Sequence, residues 1–440
     1  MTRFHVLARL GTVLNLPPDA TPDEEIVRNF RRNYLVNTAD ITSWITGMSF
    51  ISHVTILPIY ASHLTSNIIL LALIPAVREF GSFAPQLLLA PIVQKRARKY
   101  PLVIALGFFE RIPYFLLPFA ALWIGSDTGR VPAMLLFGLV LWMSLGAGLV
   151  ATPWQELMAK IIPVTNRGRF FSFSFLLGRL IGFFGTAIGA YILATFAYPQ
   201  NFIISFFIAA VILVLSFSFL IQTREPERPP RLLGQTHYLQ RLGEILRKQA
   251  NFRRYLFSRW LLHFGRMPFG LMAVYAVQRF SLPDSAAANF TSVLYGSGIF
   301  GLLIWGTMGD RFGHKRVMVI GSGVWLLALV VAIGSAFAGV VEGVYLSFAL
   351  MGGSDPGIML ADLNLAMEFG PEDERPTYIG LARSITGPAL LVAPLLGGWL
   401  AQIFGFVPMF LIALGCTAIG LSLLIWQVAE PRYAKRIEGL

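Results

Sequence analysis

The chain has 440 residues, 55% of them hydrophobic and only 13% charged, against roughly 25% charged in soluble domains. So few polar side chains cannot cover a water-exposed surface, which excludes a soluble globular protein, and the formal charge of +12 is read as membrane topology rather than nucleic-acid binding. The single cysteine, Cys416, lies in an apolar run, so neither a disulfide framework nor a Cys/His metal site is expected.

Apolar runs of about 20 residues recur, long enough to cross a hydrocarbon layer of roughly 30 Å, and they lack two-residue alternation. Backbone groups in lipid must bond within their own segment, so these runs are helices. The opening residues have no uninterrupted apolar core before Pro17 and Pro18, which argues against a cleaved signal peptide and for a short interfacial helix. In chain order, residues 1–35 form a cytoplasmic N-terminal segment. A first bundle over 36–221 holds spans near 36–60, 66–93, 101–124, 131–152, 170–195 and 200–221. A linker occupies 222–254, where Tyr238, Leu242, Ile245 and Leu246 recur at helical spacing among Arg241, Arg247 and Lys248. That pattern suits an amphipathic helix on an anionic leaflet; a plain soluble tether is the alternative. A second bundle over 255–428 holds spans near 255–278, 288–308, 317–338, 342–363, 377–402 and 406–428, before a tail over 429–440. The fold class expected is an all-α membrane protein of twelve helices in two pseudo-symmetric bundles of six.

Basic residues divide sharply between alternate connections. Arg28, Arg31 and Arg32, then Lys95, Arg96, Arg98 and Lys99, then Lys160, Arg167 and Arg169 fall on one side, with Arg311, Lys315, Arg316, the linker and the tail. The other side has only Arg130 and Arg279. The positive-inside rule then places both termini in the cytoplasm, which requires an even number of spans. Short loops suit a prokaryotic inner membrane.

The two halves repeat each other. NFRRNYL at 29–35 matches NFRRYL at 251–256, RKYPLVIALG at 98–107 matches HKRVMVIGSG at 314–323, and Pro163 and Arg167 match Pro371 and Arg375. Parallel repeats related by an axis along the membrane normal create a cavity at their interface, which rocking exposes to either side.

Residues 306–316 read GTMGDRFGHKR. Gly306 and Gly313 allow tight packing and a tight turn, Asp310 can accept bonds at a helix N-terminus, and Arg311, Lys315 and Arg316 hold the loop inside. The stretch resembles the loop signature of the major facilitator superfamily, G-x-x-x-D-R-x-G-x-K/R-K/R. By that resemblance these six residues form a conformational latch that stabilises one access state. The first-half counterpart, PIVQKRARKYP at 91–101, has Gln94 where the aspartate would align, so the latch is expected to be stronger in the second half. RGRFFSF at 167–173 and ERPTYIG at 374–380 are matched inner loops whose Arg167 and Arg375 either bridge to the neighbouring bundle or anchor in headgroups. Gly178, Gly182, Gly185 and Gly189 share one face of the fifth span and read as packing. Gly387-Pro388 and Gly397-Gly398 in the eleventh span look like the family's antiporter signature, but that signature belongs to the fifth span.

Charges at membrane depth are costly and mark functional candidates. They are Arg78 and Glu79 in the second span, Glu110 and Arg111 in the third, Arg179 in the fifth, His263 and Arg266 in the seventh, and Asp355 in the tenth. Arg259, His263 and Arg266 are spaced i, i+4, i+7, which aligns them on one face, expected to look toward the interface between halves. Pairing of Arg78 with Glu110, or of Glu79 with Arg111, is the structural alternative. Asp355 has no evident local base, which makes it the leading proton-coupling candidate, with His263 as a second titratable group. Arginines outnumber carboxylates, favouring a substrate with an anionic group, while the many phenylalanines suit either a cavity for amphipathic compounds or a lipid-facing surface.

No G-x-x-x-x-G-K-S/T loop, H-E-x-x-H or G-x-S-x-G motif is present, so neither ATP coupling nor membrane-embedded catalysis is expected. No catalytic residue, cofactor or metal is anticipated. The reading is a monomeric secondary transporter of a small molecule, coupled to protons and surrounded by membrane lipid; the alternative is a transporter-like sensor or lipid-handling protein.

Overall fold

The structure, a computed structural model, describes residues 24–94, 96–127, 129–226, 238–370 and 375–431; within helices it leaves out some side chains, among them those of Gln94, Tyr238, Arg241, Leu242, Asp310 and Arg375. The interfacial helix expected before Pro17 and Lys95 both lie outside the described residues. All described elements are helical. In the first half these are α1 (Glu24–Ser49), α2 (Ile56–Leu64), α3 (Ile68–Gln94), α4 (Tyr100–Ile124), α5 (Arg130–Ile161), α6 (Val164–Thr195) and α7 (Gln200–Leu220). A short α8 (Tyr238–Lys248) lies in the linker. The second half has α9 (Ala250–Phe264), α10 (Met272–Phe280), α11 (Ala286–Phe312), α12 (His314–Ala338), α13 (Val341–Phe369), α14 (Arg375–Phe404) and α15 (Phe406–Trp426).

Among the described residues, eight helices are long and apolar enough to cross a membrane: α4, α5, α6, α7, α11, α12, α14 and α15. Many of their large apolar side chains face outward, such as Trp123 and Trp426, which suits a lipid surround. The first and seventh spans, expected as continuous runs, are each broken instead. α1 ends at Ser49 and α2 resumes at Ile56, with Pro58 in its first turn; α9 ends at Phe264 and α10 resumes at Met272, with Pro268 in the gap. A proline has no N–H to return to the fourth residue before it, so the helix ladder stops there. Counting each broken pair as one segment gives six segments in each half, in the same order.

Helix ends also differ from the expected spans. α1 begins at Glu24, not near 36, and α6 at Val164, not near 170, because helices continue through the polar boundary once hydropathy no longer marks them. In the linker, α8 forms, but Ile245 is buried and packs with Phe252, Tyr255 and Leu256 of α9, so part of its apolar face covers the second bundle rather than lipid.

Within the first half α3 packs on α5, α4 on α5 and α7, and α1 on α6 and α7; within the second, α13 packs on α11 and α12, and α9 on α14 and α15. The halves meet where α3 packs on α14 and α6 on α11, and where α2 touches α10 and α11. The glycine face of α6 serves this packing. A side chain begun at Gly178 would strike Ile45, 2.8 Å away, and one at Gly182 would strike Tyr295, 2.7 Å away.

Candidate functional site

The two helix breaks face each other, and they divide the interface between the halves into a sealed part and an open part. On the side away from the basic loops, α2 lies against α10 and α11. Thr55 and Thr291 share a hydrogen bond of 2.6 Å, the Ile68 N–H donates to Gln402, and Thr186 bonds Ser292. His63 Nε2 lies 2.9 Å from Asp284 Oδ1, the Asn201 amide donates to the other Asp284 oxygen, and Tyr198 stacks on His63. Burial first, and then the Asp284 carboxylate, push the Tyr198 phenol up, so this loop tyrosine stays neutral. Gly398 lets α14 approach α3 closely: a Cβ there would lie 2.5 Å from Ala72.

Toward the basic loops, by contrast, the halves separate around a cavity of about 730 Å³. Its lining runs from Val54, Pro75 and Phe269 at the sealed side to Gln86, Gln155, Ala366 and Ile379 near the other ends of their helices. Met359 on its wall is 72% exposed. Two hydrogen bonds cross between the halves along its wall, from Arg383 to Gln86 at 3.4 Å and from the Tyr295 hydroxyl to the Ile45 carbonyl at 3.2 Å, among the described residues.

Of the expected candidates, Arg78, Glu79, Arg179, His263, Arg266 and Asp355 all line this cavity. So does Arg259, which completes the aligned face of the seventh span. Asp355 does have a local base: Arg266 donates to its Oδ1 at 2.5 Å, which removes the premise that made it the leading proton carrier. One helical face along, Arg259 pairs with Asp362. Arg259 on α9 and Arg266 in the break just beyond it are seven residues apart, as are Asp355 and Asp362 on α13, so the two pairs form in opposite chain order along the antiparallel segments. Arg266 also stands over the Trp325 ring, 4.5 Å from its centroid.

Glu110 and Arg111 are elsewhere. They do not line the cavity but lie buried where α1, α4 and α7 meet. Arg111 Nη2 donates to Asp40 Oδ1 at 3.3 Å and to Ser216 Oγ at 3.1 Å, and the Ser216 hydroxyl donates to the same carboxylate at 2.6 Å. Glu110 Oε2 is 3.6 Å from Arg111 Nη1. The expected alternative, cross-pairing of these residues with Arg78 and Glu79, is therefore replaced by a cluster around Asp40. Among the described residues neither Arg78 nor Glu79 forms an ion pair.

Three cavity residues were missed at the level of sequence. Asp362 had a signal, its spacing from Asp355 matching that of the two arginines. Arg383 had one as a charge inside the eleventh span. His53 had only its position near Pro58. It is 8% exposed, lines the cavity, and has no hydrogen-bond partner on either ring nitrogen.

The loop of the expected latch is described in part. Asp310 has no described side chain, and Arg311 is exposed. Gly306 meets nothing within 4 Å of a built Cβ, while Gly313 turns the chain at φ +90, a conformation costly for other residues. His314 Nδ1 lies 2.7 Å from Glu368, and Lys315 donates to the Ile425 carbonyl at 3.3 Å; Arg316 is exposed. The carboxylate at the N-terminus of α12 is that of Glu430, 3.2 Å from where a Gly313 side chain would begin. In the first half Glu225 holds the matching place, accepting the Lys99 and Tyr100 N–H groups at the start of α4 and pairing with Lys160 at 2.8 Å. Both are followed by proline, at Pro226 and Pro431, a repeat that sequence reading passed over. Arg167 donates to the Ala159 and Ile162 carbonyls at the end of α5, within its own bundle.

Residues 255–440 match the model of the Major Facilitator Superfamily. An uncharacterized MFS-type transporter of Mycobacterium tuberculosis is 28% identical over 139 residues, 31% of this chain and 23% of that protein. The matched region thus spans under a quarter of that relative. Among solved structures, a D-xylose-proton symporter aligns with a TM-score of 0.70 at 14% identity, covering 90% of this chain and 98% of its own. The nucleoside transporter NupG, solved as a point mutant, aligns with a TM-score of 0.67 at 13% identity, with the same coverage. At these identities the likeness is one of fold.

Proposed function

The family match, the relative and the shared fold support a multi-pass Major Facilitator Superfamily transporter, and from that premise we propose that the chain moves a small solute by alternating access. The observation that carries this reading is the cavity between the halves, sealed at one end by Thr55, Thr291, His63 and Asp284 and open toward the basic loops. With those loops in the cytoplasm by the positive-inside rule, both termini are cytoplasmic and the structure is inward-facing. Twelve spans then follow, the first and seventh each broken at the level where the seal meets the cavity. The linker and α8 divide two six-helix bundles that rock about this level.

Proton coupling belongs to the same reading. Glu79 faces the cavity with no ion pair among the described residues, so it can take up a proton without first breaking a pair, whereas Asp355 must release Arg266. Glu79 is therefore assigned as the carrier. The second-half loop, with Gly306, Asp310, Arg311, Gly313, Lys315 and Arg316, is assigned to holding this access state, now together with Glu430.

Cysteine labelling in membrane vesicles tests this without knowledge of the substrate. In a Cys416→Ser background, Thr291→Cys reports the seal and Met359→Cys the open side. Accessibility of the two positions is expected to change reciprocally with pH, and Glu79→Gln is expected to remove the pH response. A Thr291→Cys site that never reacts under any condition would sink alternating access; a response intact in Glu79→Gln would sink the carrier assignment alone.

A further inference from the structure

The cavity wall is unequally charged. It carries Arg78, Arg179, Arg259, Arg266 and Arg383 against Glu79, Asp355 and Asp362. Two of the arginines are consumed by Asp355 and Asp362. Arg78, Arg179 and Arg383 remain without a carboxylate partner among the described residues, and only Glu79 opposes them. The excess is concentrated on the first half, which supplies Arg78 and Arg179.

Arg78 stands out among the three. Arg179 rests against the Tyr295 ring at 5.9 Å, and Arg383 reaches Gln86. Arg78 Nη1, by contrast, is buried and makes no hydrogen bond among the described residues. His53, within electrostatic reach of Arg78, is likewise buried with both ring nitrogens unpartnered. In either neutral tautomer its ring presents one N–H donor. Native proteins rarely leave buried donors unmatched, because each costs desolvation without return. Two such side chains on one wall of one cavity therefore point to an acceptor that arrives from outside the chain.

We infer that the cavity takes a small organic anion, whose carboxylate-type headgroup docks between the Arg78 guanidinium and the His53 imidazole on the first-half wall. This rests on the transporter reading and deepens it. A guanidinium offers paired N–H donors that match two carboxylate oxygens, and the imidazole supplies a third. The rest of the ligand lies against Met48, Leu262, Phe269, Leu294 and Leu390, which line the same space, so an apolar body is accommodated. The cavity volume falls within the roughly 300–1,000 Å³ of small-molecule sites. Glu79, beside Arg78 in sequence, raises the free energy of an anion while ionised and ceases to when it takes up a proton. Anion and proton then enter together.

The probe is 4-bromobenzoate, titrated by calorimetry against the full chain in phosphatidylcholine nanodiscs, with 4-bromobenzamide and 4-bromobenzylammonium as neutral and cationic isosteres. The benzoate is expected to bind at least about tenfold more tightly than either, the worth of one charge-assisted hydrogen bond. Arg78→Gln and His53→Gln are expected to lower that preference, and Glu79→Gln to raise benzoate affinity at neutral pH. Because Arg78→Gln could fail to fold, the gain in Glu79→Gln stands as an independent arm. Equal binding of the three isosteres, preference for the amine, no benzoate binding at millimolar concentration, or an unchanged preference in folded Arg78→Gln would each overturn the inference. Discs containing phosphatidylglycerol separate a soluble anion from a lipid headgroup: unchanged benzoate affinity keeps the solute assignment, and competition by the lipid transfers the site to the headgroup. Binding at equilibrium does not require the halves to rock. Anion preference without reciprocal labelling would thus sink transport and keep the site, and the converse result would do the reverse.

Discussion

The two halves place their buried charges differently although their helices follow the same order. In the first half Arg111 meets Asp40, Ser216 and Glu110 inside the bundle, with the arginine and both carboxylates at most 10% exposed. In the second half Arg266 meets Asp355 at the cavity wall, with side chains 27% and 30% exposed. A closed cluster fixes how three helices pack; a pair on a wet wall can open when the wall moves. The first half is therefore braced internally and leaves Arg78 and Arg179 without a carboxylate among the described residues, while the second half pairs two of its three cavity arginines, Arg259 and Arg266, at the wall.

The largest expected effect breaks the brace. Arg111→Met leaves Asp40 and Glu110 buried without their cation, and a stability loss of about 3–5 kcal/mol is expected, read as a fall in the thermal midpoint in detergent. Next comes the seam where the halves touch. Gly398→Val forces a side chain against Ala72, with an overpacking cost of about 1–3 kcal/mol placed on the closed seam, so Thr291→Cys in that background is expected to label more readily. Arg266→Met is expected to cost no more than about 1 kcal/mol of stability, because its pair is open to solvent, yet to alter the labelling ratio of Met359→Cys and Thr291→Cys. If it destabilises as much as Arg111→Met, the contrast between brace and movable pair is lost. The smallest effect is that of Glu110→Gln, within about 1 kcal/mol, since the closer Asp40–Arg111 contact survives; a larger loss would make Glu110 an equal member of the cluster.

Much of the frame was legible in the sequence, and the site only in part. The shared face of Arg259 and His263 could be drawn from spacing, since one helix fixes the relative direction of its own side chains, and Arg266 lines the same cavity although the helix ends before it. The partners could not. Arg111 and Asp40 are 71 residues apart, and Arg266 and Asp355 are 89 apart. Arg78, Glu79, Glu110 and Arg111 looked alike as charges inside apolar runs, yet the first two face the cavity and the last two do not. Hydropathy averages over a window and is blind to which way a helix is turned.

The sequence by itself determined that the chain is helical and suited to a membrane, because transfer into lipid is a sum over neighbouring residues and backbone satisfaction is local. Tertiary structure alone decided which carboxylate each arginine meets, that His53 and Arg78 stand unmatched on one wall, and which end of the cavity is shut. Those depend on the rotation and tilt of helices far apart in the chain, and a single charge misplaced by one helical face changes them all.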